Sequence, residues 1–262
     1  MYYFQPMEKK KITLSVALAV FNEEKNLRMC LDAIKDIADE LVIVDGGSTD
    51  SSVEISKEYN AKIINTDNPK IFHINKQKAL DACTSTWILQ LDADEVIPDD
   101  LKKEIILTIN NESLTSNGYF IPRSNYFWGH FMKKGGQYPD SVIRLVKKGY
   151  ASFPCKSVHE QIAIQGEVDT LTHPMKHYSY RTRGDYWKKA DTYTSLTASE
   201  LKASTSPKVA TCFTYCFLKP VYTFMMLYIR HKGFVDGLTG FEFSLYSSLH
   251  FPWAYLKYLR SI

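Results

Sequence analysis

The residues best equipped for chemistry close the run Trp87-Ile88-Leu89-Gln90-Leu91-Asp92-Ala93-Asp94-Glu95. An apolar, strand-prone stretch ends there in acids. In an extended chain, residues two apart point to one side, so this spacing aims the Asp92 and Asp94 carboxylates at one place just beyond a strand. In open α/β sheets that place borders the ligand crevice. Paired hard oxygen donors suit Mg²⁺ or Mn²⁺, ions that usually arrive bridging substrate phosphates. A solvated turn leading into the helix marked by Pro98-Asp99-Asp100 is the competing reading.

The elements that must position those acids lie upstream. Ile12 to Val20 is an apolar run with β-branched residues, expected as a buried strand. Phe21-Asn22-Glu23-Glu24 ends it, with Asn22 as an expected helix N-cap. Leu27, Cys30, Leu31 and Ile34 then recur at helical spacing. A second strand, Glu40 to Val44, runs into Asp45-Gly46-Gly47-Ser48-Thr49-Asp50, where the glycines permit close backbone approach. A helix from about Ser51 to Tyr59, a strand at Ala61 to Asn65 and a helix from His73 to Ala82 precede the acid-bearing strand. This alternation is that of βαβ units around a parallel sheet.

Beyond Asp94 the alternation stops. Leu101 to Asn110 reads as a helix, and Gly118 to Pro122 and Ser141 to Lys147 as strands. Between those strands lies a loop rich in aromatics and glycine, from Tyr126-Phe127-Trp128-Gly129-His130 to Lys133-Lys134-Gly135-Gly136-Gln137-Tyr138-Pro139-Asp140, suited equally to stacking on sugars or to core packing. From Asp185 the chain reads as helical. Val209 to Ile229 is apolar but cut by Lys219-Pro220 into halves too short to span a bilayer, which takes roughly 20 residues. Gly233 to Ile262 is amphipathic, with Trp253, Tyr255 and Tyr258 near Lys257 and Arg260. Such residues favour the headgroup region. The expected division is therefore 1–184 as an α/β domain and 185–262 as a helical extension lying on a membrane, with a plain helical cap as the alternative.

Composition sets the outer limits. A chain of 262 residues with 45% hydrophobic and 23% charged residues can bury a sizeable core. A net charge of +3 is too small to indicate nucleic acid. Five cysteines without metal-ligand spacing, and no apolar signal core near Met1, point to a reducing cytoplasm.

The turns at 21–24 and 45–50 and the Asp92-Ala93-Asp94 triplet occur in order, each at a strand end. Together they resemble a family 2 glycosyltransferase of the GT-A fold, a Rossmann-like mixed sheet flanked by helices. Gly136 to Asp140, Ile143-Arg144-Leu145, Val158-His159-Glu160, His177-Tyr178-Ser179 and Lys232-Gly233-Phe234-Val235-Asp236-Gly237 are similar to the branch typified by lipopolysaccharide-core β-1,4-glucosyltransferases. The resemblance implies an inverting hexosyltransferase that uses a UDP-sugar, with glucose the expected sugar. Its acceptor would be a lipopolysaccharide core or other glycolipid at the inner face of the cytoplasmic membrane.

The same resemblance assigns roles. Asp45 would accept a hydrogen bond from the nucleotide base, with Asn22 and Glu24 beside it. Lys76 and Lys78 would face the diphosphate, although relatives carry an Arg-containing run where this chain has Asn75-Lys76-Gln77. Asp92 would lie near the ribose and share the metal site. Asp94 would bind Mg²⁺ or Mn²⁺, and His177 would reach the metal or diphosphate, with His173 as competitor. Glu160 would be the base that deprotonates the acceptor. Asp140 is the second choice for that role, unless Arg144 pairs with it. Two other classes compete. A nucleotidyltransferase would want a basic glycine-rich loop after the first strand, where this chain is acidic. An inactive scaffold would be expected to have lost Asp92, Asp94 and Glu160, which are all present.

Overall fold

The computed structural model describes residues 13–69, 71–156, 161–203 and 208–261. These described residues form two compact units, one within the bounds 1–122 and 141–175 and the other within 123–140 and 176–262.

The first unit is a mixed sheet with helices on both faces. Its elements are β1 (Leu14–Val20), α1 (Glu24–Asp32), β2 (Glu40–Asp45), α2 (Ser52–Glu58), β3 (Lys62–Asn65), α3 (His73–Ala82), β4 (Trp87–Leu91), β5 (Glu95–Val96) and α4 (Asp99–Ile109). They continue with β6 (Gly118–Phe127), whose last residues enter the second unit, where the short β7 (His130–Phe131) pairs with them. The first unit resumes with β8 (Asp140–Lys147), β9 (Ala151–Ser152), β10 (Ala163–Ile164) and β11 (Val168–Thr170). Strand order is β3-β2-β1-β4-β8-β6. β1 pairs in parallel with β2 and β4, and β8 joins β4 antiparallel.

Side-chain alternation along β1 explains the two cores. Leu14, Val16, Leu18 and Val20 pack with Leu27, Leu31, Leu101 and Ile105 of α1 and α4. Ala17 packs on the opposite face with Val42, Val44, Ala79 and Leu80. The chain moves outward from β1 to β3, then returns to β4 on the other side of β1. That reversal is a topological switch point, where open α/β sheets bind ligands beyond the strand ends. Register brings the expected turns to this edge: Val20 stands opposite Asp45, and Leu18 opposite Leu91.

The second unit comprises the end of β6, β7, β12 (Met175–Tyr180) and the C-terminal helices. Tyr126 pairs with Phe131 and Phe127 with His130 across a two-residue turn. Trp128 and Gly129 there have φ of 53° and 81°, the left-handed pair that tight hairpins demand. Of the aromatics in this segment, Phe127 and Trp128 pack with Tyr186, Phe243 and Tyr246, whereas Tyr126 lies against Phe131 and Tyr178. Core packing therefore accounts for Phe127 and Trp128.

The helices are α5 (Arg183–Ala203), α6 (Lys208–Phe213), α7 (Lys219–Phe224) and α8 (Gly237–Arg260). The expected break at Lys219-Pro220 does not occur. Wider π-helical turns at Thr214–Leu218 and Met225–Arg230 flank α7, and the helix runs from Thr211 to Arg230 without a stop. Proline lacks an N–H, and its ring crowds the carbonyl four residues back. A π turn just before it relaxes that crowding. These 20 residues are long and apolar enough to cross a membrane, and no residue of their most apolar window is fully buried.

Candidate active site

At the carboxyl edge of β1 and β2, two turns lock together. Asn22, at φ 55°, does not cap α1; Glu23 holds the N-cap position instead. Asn22 Oδ1 accepts from Thr49 N at 2.8 Å, and its own N–H donates to Ser48 Oγ at 2.9 Å. Glu24 N donates to Asp50 Oδ2 at 3.0 Å, and Ser51 N donates back to Glu24 Oε2 at 3.2 Å. Asn22 and Glu24 thus fix the shape of this edge. Gly47, at φ 83°, makes the turn that lets Gly47 N and Ser48 N donate to Asp45 Oδ2 at 2.9 and 3.0 Å. Asp45 is 3% exposed, and its Oδ1 is buried with no hydrogen-bond partner among the described residues.

The acid strand departs from the extended geometry its spacing suggested. β4 ends at Leu91, and Glu95 N donates to Asp92 O at 3.0 Å, closing a turn across 92–95. Two-residue alternation therefore does not continue through Asp92 and Asp94. The Asp92 carboxylate is held between two cations: Lys76 Nζ on Oδ1 and Arg144 Nη2, at 2.6 Å, on Oδ2. Arg144 also donates to Gln90 Oε1 and, at 2.7 Å, to Glu95 Oε1. Glu95 has no exposure, and its Oε2 accepts from Asp92 N at 3.0 Å. Burial works against the Arg144 charge, but Asp92 and Glu95 outweigh it and raise its pKa above the ordinary value. Arg144 is therefore committed to this cluster, not to Asp140. Lys76, expected at a diphosphate, is buried against Asp92, while Lys78 Nζ donates to Thr66 Oγ1 at 2.6 Å.

Asp94 is half-buried in the turn past β4. Among the described residues, no group of three His, Cys, Asp or Glu side chains could hold a metal ion. Both Asp92 oxygens are engaged by cations; one or two carboxylates completed by substrate phosphate oxygens are a common arrangement for Mg²⁺. Below the turn, the Cys30 thiol lies 3.7 Å from Asp92 O, and burial pushes its pKa well up. It is a packing group, not a nucleophile.

The second unit holds two further expected residues and one the sequence reading missed. Asp140 Oδ2 accepts from Arg123 Nη2 and, at 3.1 Å, from Asn125 Nδ2. His177 Nδ1 lies 2.6 Å from Asn125 Oδ1 and 3.0 Å from Ser179 Oγ. Asn125, on β6 and 3% exposed, thus joins Asp140 to His177. Nothing in local sequence marks it, since it sits in an ordinary strand pattern. His173 belongs to the first unit and is paired with Glu104 at 2.9 Å. Glu160 lies outside the described residues.

Residues 15–185 match the model of glycosyl transferase family 2. The chain belongs to that family, and it is an enzyme of that class. It is 27% identical over 247 residues to an uncharacterized glycosyltransferase of Rickettsia prowazekii, covering 86% of this chain and 82% of the relative. It is also 27% identical over 253 residues to the lipopolysaccharide core biosynthesis glycosyltransferase LpsC of Rhizobium meliloti, covering 88% of each. Among solved structures, S. aureus TarS residues 1–349 overlaps 94% of this chain and 89% of its own at 14% identity, with a TM-score of 0.49. Glucosyl-3-phosphoglycerate synthase from Mycobacterium tuberculosis, solved with Mn²⁺ and UDP-glucose, overlaps 44% of each chain at 20% identity, with a TM-score of 0.36.

Proposed function

We propose that this enzyme transfers a hexose, glucose in the first instance, from a UDP-sugar to a lipopolysaccharide-core or related glycolipid acceptor with inversion at the anomeric carbon. The observation that carries the donor assignment is Asp45. Its Oδ2 is occupied by two backbone N–H groups, and its buried Oδ1, at the carboxyl edge of the sheet, is an acceptor with no partner among the described residues. A carboxylate only accepts, and uracil N3–H donates. The locked turns of Asn22 and Glu24 shape the wall beside it.

Asp92, neutralised by Lys76 and Arg144, serves as a fixed acceptor for the ribose. Asp94 holds the divalent ion, which when bound supplies Lewis-acid charge neutralisation at the departing diphosphate. Lys78 is the helix-borne cation of the donor side. By the resemblance, His177 would reach the metal or the diphosphate. Glu160 takes the acceptor hydroxyl proton as that oxygen bonds to the anomeric carbon. The bond to the diphosphate breaks and UDP leaves. Asp140 is less suited to this role because Arg123 and Asn125 already engage its carboxylate. The similarity to LpsC supports the envelope acceptor. The apolar surface of residues 211–230, which carries Lys219 at its middle and Arg230 at its end and is followed by Lys232, supports peripheral contact with the cytoplasmic membrane face.

Calorimetric titration of UDP with and without Mn²⁺ tests the reading. Asp94→Ala should abolish the metal-dependent part of UDP binding. Asp45→Asn should weaken UDP by roughly 10–100-fold, because a side-chain N–H would face N3–H, and should favour CDP, whose N3 accepts. UDP binding unchanged in Asp45→Asn would refute the base assignment.

A further inference from the structure

The helix from Thr211 to Arg230 is long enough to cross a bilayer, so what holds it decides whether it does. Along its length it packs antiparallel to α8. Tyr215 meets Phe251 at 6.1 Å between ring centroids, and Phe224 and Tyr228 meet Phe241 at 5.8 and 5.7 Å. Lys219 Nζ, at mid-helix, stands 3.8 Å from the Tyr215 ring centre and 5.4 Å from that of Phe251, so its charge is turned toward α8. α8 is in turn fixed to α5, through Trp187 on Trp253 at 5.4 Å and Lys257 on Asp191 at 2.6 Å. The exposed side of α5 carries Lys188, Asp191 and Glu200. A crossing helix would draw α8 and α5 into the hydrocarbon with it, and charges there are costly. A helix lying in the membrane plane leaves those charges in water.

The outer side of the helix is a straight apolar edge. Phe213, Phe217, Val221, Met225 and Ile229 recur four residues apart, and each is at least half exposed. In an α-helix a four-residue step overshoots the turn of about 3.6 residues, so such a row winds around the axis. The wider π turns at Thr214–Leu218 and Met225–Arg230 undershoot instead and keep the row in line. Phe234, Val235 and Leu238, also at least half exposed, follow in the chain.

The charge around this edge has one sign. No acidic residue lies between Glu200 and Asp236, where the sequence has Lys202, Lys208, Lys219, Arg230 and Lys232. Asp236 itself is 4% exposed and turned inward, its carboxylate accepting from Lys133 N at 2.9 Å and Lys134 N at 2.8 Å. Gly135 N donates to His231 O at 2.9 Å. These bonds stake the backbone of 133–135 to the end of the helix and gather four exposed cations, Lys133, Lys134, Arg230 and Lys232, at one corner. Among the described residues, none of the four is in an ion pair. Uncompensated cations beside an apolar edge complement lipid phosphates above acyl chains.

We propose that the second unit docks on an anionic lipid leaflet with the helix from Thr211 to Arg230 in the membrane plane, its apolar edge in the acyl boundary and Lys133, Lys134, Arg230 and Lys232 on the lipid phosphates. The inference rests on the membrane contact proposed above and adds its depth, its lipid charge and a second segment of chain that takes part in it.

Co-sedimentation of the full-length protein with phosphatidylcholine vesicles, and with vesicles that also hold phosphatidylglycerol, tests the basic corner. Each Lys or Arg near an anionic surface strengthens binding about fivefold, so Lys133→Gln combined with Lys134→Gln should weaken binding to the anionic vesicles roughly 10–30-fold. The same variant should bind neutral vesicles as the unmodified protein does, and Lys188→Gln on α5 should change neither by more than about twofold. Bromine quenching tests the depth. Tryptophan placed singly at Phe213, Val221 or Ile229 should be quenched alike by lipids brominated near the glycerol, over the signal of the four native tryptophans. Stronger quenching of Val221→Trp by lipids brominated near the chain ends, with the two end positions shallow, would mean a crossing helix and overturn the proposal. Equal binding of the double lysine variant and the unmodified protein to anionic vesicles overturns the basic corner and leaves the membrane contact standing. Absence of binding to any vesicle removes that contact and this inference together, and a self-associated protein that Val221→Asp returns to monomer would then assign the face to a second copy.

Discussion

Replacing Arg144 by methionine removes the guanidinium from a cluster that contains a fully buried carboxylate. Arg144 is 6% exposed and Glu95 is 0% exposed. Removing one partner of a buried ion pair typically costs about 3–5 kcal/mol, most of it the penalty of the charge left behind. Two features place this case at the lower end. Asp92 keeps Lys76, and Glu95 keeps the backbone N–H of Asp92 through its second oxygen. The expected loss is therefore about 3–4 kcal/mol. With a urea dependence of about 3 kcal/mol per molar, the midpoint should fall by about 1 M. Urea is the denaturant of choice, since guanidinium salt would screen the cluster under study. Adding Glu95→Gln neutralises the stranded group and should recover about half of the loss, whereas Glu95→Gln alone should destabilise the protein. Arg144→Lys keeps the charge but not the planar fork that reaches Gln90, Asp92 and Glu95 together, so it should fall between the two. A loss below about 1 kcal/mol in Arg144→Met, or a double variant no more stable than the single one, would show that the cluster is not held by its charges.

Other perturbations test other parts of the chain. Gly240→Ala puts a Cβ 1.9 Å from the Gly233 carbonyl oxygen, an overlap that should cost about 1–3 kcal/mol or more; an unchanged melting temperature would contradict that close approach. Asp236 spends its buried carboxylate on Lys133 N at 2.9 Å and Lys134 N at 2.8 Å, not on capping its own helix, so Asp236→Ala should raise hydrogen exchange at those two amides by tenfold or more. Burial lowers the His250 pKa, so its contribution to stability is complete above the unfolded value of about 6.5 and is lost as pH falls through the folded value. Thermal melts from pH 8 to 5 should show that acid loss, and His250→Gln should flatten it. Serine at Val221, Tyr222 and Met225, all at least half exposed, should reduce binding to anionic vesicles at least tenfold without changing UDP affinity.

The alternation of strands and helices up to Leu91 was legible because each run obeys one period and ends in a turn signal. The strand at 14–20, the turn at 45–50 and the helix at 73–82 stand where the pattern places them. What was not legible depends on partners distant in sequence. Lys76 reads as a solvated helix lysine until the turn after β4 places Asp92 beside it. Arg144 reads as an available partner for Asp140, yet Gln90, Asp92 and Glu95 claim it. The helix through Pro220 defeats the local rule because two π turns absorb what one proline disrupts. Asn125 gives no signal because its meaning lies in three acceptors and donors that the sequence scatters over fifty residues.

The turn at 92–95 changes what an Asp-x-Asp spacing means in this chain. Were the strand extended through Asp94, two carboxylates would face one point, and only a cation could make that tolerable. The protein instead closes a turn at Asp92 and surrounds its carboxylate with Lys76 and Arg144, so its charge is balanced before any ligand arrives. On the proposed reading this leaves Asp94 to hold a divalent ion with help from substrate. A single carboxylate binds Mn²⁺ weakly, whereas one joined by two phosphate oxygens binds it well. Titrating Mn²⁺ into the protein alone and then with saturating UDP should therefore give affinities that differ at least tenfold. By linkage, Mn²⁺ should tighten UDP by the same factor. Equal Mn²⁺ affinity in both titrations would mean that the protein builds a complete metal site without the nucleotide, and the division of roles between Asp92 and Asp94 would be wrong.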